Sequence, residues 1–126
     1  MARTAISIVD VPLNEAKAFT FSSAASLSDG FAITDNGADN RLAFLIQNTS
    51  TASGTVTFKK GNAIQGVEDI TYTVSASTTV CVWIDSGIIK NVTGAEKGKV
   101  VAIPSAATMF VAAVHLGRLA SETVTY

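Results

Sequence analysis

The chain has 126 residues, 48% of them apolar, enough for one domain with a real core. Only 15% are charged, nine Lys and Arg against ten Asp and Glu for a net charge of −1. That leaves no basic stripe for nucleic acid and no polybasic helix for a membrane surface, while a surface so poor in charge is cheap for another protein to cover.

Residues 4–11 (TAISIVDV) alternate, with Ile6 and Ile8 on one side and Ala5, Ser7 and Val9 on the other. This predicts a first strand ended by Pro12, which cannot donate to a ladder. The N-terminus lacks the continuous apolar run of a secretion signal, and no later stretch is long enough to span a membrane, so a chain made and kept in a cytoplasm is expected. A short strand is expected at 16–21 through Phe19 and Phe21, followed by a Ser/Ala loop, an Asp29-Gly30 turn and a brief strand at 31–34. DNGADN at 35–40 is a further turn.

The stretch 41–61 (RLAFLIQNTSTASGTVTFKKG) reads as strand, polar turn, strand. Leu42, Phe44 and Ile46 share one face of the first, and Val56 and Phe58 share one face of the second, so a hairpin is expected. After a polar loop, 69–74 (DITYTV) alternates again. The run 78–85 (TTVCVWID) is apolar on both faces, as is 108–116 (TMFVAAVHL); such strands are either central in a layered structure or covered by a partner. Between them lie a brief extended piece at 88–92, a loop, and the strand 99–103 stopped by Pro104. Some eight or nine short strands with regular turns predict an all-β chain, a single antiparallel β-sandwich over 1–126 with jelly-roll-like or immunoglobulin-like connectivity. Residues 1–12 are either its first strand or an arm that pairs with a neighbour's sheet edge, and 117–126 form a C-terminal tail.

Catalytic chemistry finds little material. His115 is the only histidine and Cys81 the only cysteine. Any Ser-His-Asp or Cys-His system must pass through His115, yet no nucleophile motif accompanies it, and the four ligands of a usual zinc site cannot be assembled. DNGADN lacks the glycine and glutamate positions of a calcium loop, and no phosphate-cradling glycine motif occurs. Asn48-Thr49-Ser50 and Asn91-Val92-Thr93 match the glycosylation sequon by chance. No enzyme, metal, cofactor or small-molecule substrate is expected. Trp83 is either a core tryptophan or an aromatic anchor for a partner. It alternates with Val80, Val82 and Ile84, so if those fill the core the indole faces outward.

Residues 41–116, through the strand ending IQNTS, the segment VTFKKGNAIQGVEDI, the valine-rich strand before DSG, KGKVVAI and the closing AAVHL, resemble the small β-sandwich proteins encoded near capsid genes in tailed bacteriophages. The resemblance implies a capsid decoration or accessory protein, often a homotrimer, that binds the major capsid protein on the outer surface of the head and stabilises it. It implies a virion location after synthesis in the host cytoplasm. Candidate interface residues are Arg3, Ile6 and Ile8 in the N-terminal segment, together with Trp83. A carbohydrate-binding or adhesin-type module of a fibre is the alternative, because exposed aromatic rings also stack on sugars.

Overall fold

A computed structural model describes residues 3–12, 14–34, 42–62, 68–84, 86–94 and 97–118. The described residues are all-β apart from one helical turn, and form two mixed sheets packed face to face as a β-sandwich. The strands are β1 (Thr4–Ile6), β2 (Ile8–Pro12), β3 (Phe31–Thr34), β4 (Leu42–Asn48), β5 (Gly54–Phe58), β6 (Ile70–Val74), β7 (Thr78–Trp83), β8 (Lys99–Pro104) and β9 (Met109–Arg118); the turn α1 is Ser86–Ile89. One sheet runs β1-β3-β8-β5-β6 and the other β2-β9-β4-β7. The 35–40 turn, with Asp35 and Asp39, and the tail beyond Arg118 lie outside the described residues.

Only β5 and β6 form a same-sheet hairpin; every other consecutive pair of these strands changes sheets. An immunoglobulin sandwich keeps its last two strands together in one sheet, whereas β8 and β9 lie in opposite sheets, so the connectivity is jelly-roll-like. The expected hairpin at 41–61 is therefore corrected. Its two strands exist, but β4 and β5 belong to different sheets and face one another across the core. Phe44 and Phe58 meet there with ring centroids 4.7 Å apart, and Phe58 continues to Tyr72 at 6.1 Å. Leu42, Phe44 and Ile46 from one side and Val56 and Phe58 from the other are fully buried. Alternation fixes which side chains share a face, but it does not say whether the next strand lies beside or opposite.

Asn48 makes the arch possible. Its side chain is buried, and its amide nitrogen donates to the carbonyls of Ala52 (2.9 Å), Val74 (3.1 Å) and Ser75 (3.4 Å), while its amide oxygen accepts from the Ser50 N–H at 3.0 Å. The Ser77 N–H closes back on the Ser50 carbonyl at 3.0 Å, and the Thr49 N–H bonds the Thr108 carbonyl at 3.1 Å. The three arches β4–β5, β6–β7 and β8–β9 are thus stitched together at one end of the sandwich. Ser77 adopts φ 54° in the tightest of them.

The N-terminal run is one chain shared by two sheets. It splits at exposed Ser7: β1 pairs parallel with β3, and β2 pairs parallel with β9. Each sheet therefore has one parallel edge pair beside antiparallel ladders. The segment is the first strand of its own sandwich, with Ile6 buried in the core and Ile8 packed against it from the other sheet. To start β3 in the same direction as β1, the chain must travel back along the molecule. Residues 14–20 do so on the surface, and the strand expected at 16–21 is replaced by a single bridge, Ser22 to Val111.

The extended piece expected at 88–92 is instead α1 followed by an isolated bridge from Lys90 to Val100. The turn drops Ile89 into the core. A Cβ at Gly61 would run into the Lys90 carbonyl oxygen, so only glycine lets these loops approach. Pro104 ends β8 inside the strand, and Gly117 lies within β9.

Replacing Asn48 by alanine orphans the buried Val74 carbonyl and removes three part-buried bonds to main-chain groups of the arches. The expected loss is about 2–3 kcal/mol, read as a lower urea midpoint at unchanged m-value.

Candidate interaction surface

The alternation of β7 settles the direction of the tryptophan. Val82 and Ile84 are buried and Val80 packs against the core, which turns Thr79, Cys81 and Trp83 outward. Trp83 is 75% exposed, the most open large apolar side chain among the described residues. Register carries an apolar row from it across all four strands, with Trp83 beside Ala43, Ala43 beside Val114, and Val114 beside Val9. A second row sets Cys81 beside Leu45 and Leu45 beside Ala112; a third sets Thr79 beside Gln47 and Gln47 beside Phe110. No charged residue stands in these three rows. Within these rows Ala43, Ala112 and Val114 are buried and Leu45, Gln47, Phe110 and Val9 are half-buried, so the open part of this side is the β7 strip of Thr79, Cys81 and Trp83, and that strip is the candidate interaction surface.

The outer face of the other sheet differs in chemistry. Thr55 stands opposite Thr73 and Thr57 opposite Thr71, with the latter hydroxyls 2.9 Å apart. At the sandwich end, the Lys59 ammonium meets Asp69 at 2.8 Å. That bond, with a second one from the Lys60 N–H, holds the Asp69 carboxyl below its usual range.

The remaining candidates fall elsewhere. Arg3 is half-buried, its guanidinium donating to the Asp29 main-chain carbonyl, and Ile6 is buried within its own sandwich, which corrects its place as a contact residue. Ile8 is likewise engaged against the core. The expected N-terminal contact set is thus spent on the chain's own sheets, and of the four candidates Trp83 alone lies largely open. His115 is buried, with Nδ1 3.2 Å from an Asp10 carboxylate oxygen, the two residues being register partners of β9 and β2. It is an imidazole fixing an edge strand. Cys81 is exposed on the outer side of β7, with β4 standing between it and the β9 strand that carries the buried His115. Among the described residues no three His, Cys, Asp or Glu side chains gather to hold a metal ion, and no helix is long and apolar enough to cross a membrane. Asn48, first residue of a sequon, has its amide committed to the arch.

Sequence reasoning singled out Trp83 but missed Leu45, Phe110, Val114 and Val9 as its companions. The signal was present in two strands apolar on both faces, which is how a covered outer surface reads in sequence. No family model, curated protein or solved structure matches the chain.

Asp69, with its pKa lowered, contributes stability that is present above the unfolded carboxyl pKa and lost as pH falls through the folded one. The pair is solvent-exposed, so the effect is below about 1 kcal/mol. Asp69→Asn is therefore expected to be slightly less stable than wild type at neutral pH, with the gap closing below the ordinary aspartate pKa of 3.8, followed by thermal melts across acid pH.

Proposed function

We propose that the chain is a structural accessory protein of a bacteriophage head, binding the major capsid protein on the outer surface of the shell and reinforcing it. The observation that carries this reading is the uncharged outward strip of β7, Thr79, Cys81 and Trp83, with the indole 75% exposed. An open aromatic side chain on an uncharged strip is what a docking protein needs. The sandwich presents that strip rigidly, because its strands are locked by arches at one end. The resemblance of residues 41–116 to capsid-associated sandwiches supplies the partner. Repetition over a shell then lets modest affinity at each copy suffice.

Purified protein mixed with undecorated heads is expected to sediment with them in fixed ratio to the shell protein. Trp83→Ala is expected to weaken that binding by about 2 kcal/mol, roughly 30-fold. Absence of the protein from purified particles by mass spectrometry, with no binding to bare heads, would overturn the reading. The exposed indole also favours a second one, a carbohydrate-binding module. Glycan-array binding that disappears in Trp83→Ala would establish it in place of the first.

A further inference from the structure

We infer that β7 is a self-pairing edge, joining two copies of this chain about a two-fold axis so that their four-stranded sheets become one continuous sheet. The inference stands on the edge itself and does not need a shell. Among the described residues β7 is the last strand of its sheet, so alternate main-chain N–H and C=O groups along it lie on the side away from β4. Such edges invite pairing unless they are blunted by charge, proline, a bulge or shortness. The opposite edge of the same sheet, β2, has three of these devices: Asp10, Pro12 and a register break between Val11 and Pro12. The β1 edge of the other sheet is only three residues long. By contrast β7 is TTVCVW, six residues with no charge and no proline, in unbroken register with β4. The β6 edge is also uncharged, but it presents threonines and no open ring.

A second copy is the occupant this edge fits. With no charged side chain on β7, antiparallel self-pairing brings no like charges together. Face parity then restricts the register. Outward residues are odd-numbered, and a two-fold normal to the sheet keeps outward faces together, so the axis passes through a single residue. Of the registers with the longest overlap, only the one centred on Cys81 keeps Trp83 within the ladder, setting Cys81 opposite Cys81, Val80 opposite Val82 and Trp83 opposite Thr79. Each indole lies on the neighbour's β-branched Thr79, a favourable cross-strand pair. The uncharged outward strips of the two copies of β7 would lie side by side across the joint. Since two strand edges and two rings bury less than the roughly 1,200 Å² of a standard interface, the association is weak and concentration-dependent.

The central Cys81 pair reports on this geometry. Opposed residues in an antiparallel ladder have Cα atoms about 4.5–5.5 Å apart, within disulfide range. Diamide, taking up the two electrons and two protons the thiols release, is expected to give a covalent dimer of the wild-type chain. Sedimentation equilibrium is expected to show reversible association in wild type and in Cys81→Ser, which keeps the edge and loses only the cross-link. Cys81→Lys, which opposes two ammonium groups at the centre, is expected to raise the dissociation constant at least about tenfold. Its side chain lies on the exposed face, so an unchanged melting temperature would show that the fold persists. A wild-type chain that stays monomeric to its solubility limit overturns the inference. So does an association untouched by Cys81→Lys, or one in which diamide forms no dimer. None of these outcomes bears on binding to bare heads, so this pairing can fail while the proposed function stands.

Discussion

The buried amide of Asn48 is the constraint on which this sandwich depends. At the end of β4 the chain must leave one sheet and enter the other, and such a crossing strands main-chain carbonyls in the interior. One side chain reaches carbonyls on both sides of the gap, from its own arch at Ala52 and from the next at Val74 and Ser75. With the return bond from Ser77 to Ser50, the two arches become a single knot. The facing of Phe44 on Phe58 follows, because the two strands leaving that knot have no option but to meet across the core.

A fold in which consecutive strands keep changing sheets puts nearly every long-range contact between segments distant in sequence. Its N-terminal run is the extreme case, since it serves β3 in one sheet and β9 in the other within nine residues. Asp10 and His115 pin the second of these pairings through a carboxylate–imidazole contact. The apparent chemical residue of the chain, its lone histidine, is thereby spent on holding an edge.

The same architecture gives the molecule two unlike outer faces. The five-stranded sheet shows threonine hydroxyls to water, and the four-stranded sheet shows an uncharged strip along β7 that ends in Trp83. In a chain of low charge, such a strip is the part with least to lose by being covered. The two margins of that sheet are also unlike, with charge, proline and a bulge along β2 and none of them along β7. An asymmetry of this kind tells a neighbour where to pair.

By itself the sequence determined where most of the strands lie and which side chains share a face, because a period of two is a local property of extended backbone. It therefore placed the all-β class, the apolar faces of β4, β5 and β7, and the conditional statement that buried Val82 and Ile84 would turn Trp83 outward. It misplaced strands at 16–21 and 88–92, which the structure replaces with isolated bridges and a helical turn. Only the tertiary structure decided which strands are neighbours, and so converted the hairpin expected at 41–61 into an arch and an expected N-terminal contact set into strands of the chain's own two sheets. It alone assembled the outward face, since Val9, Val114, Ala43 and Trp83 come from four strands that only the ladder register sets side by side. Pairing is a non-local choice, made by closing loops and satisfying buried carbonyls, and alternation along one strand carries no record of it.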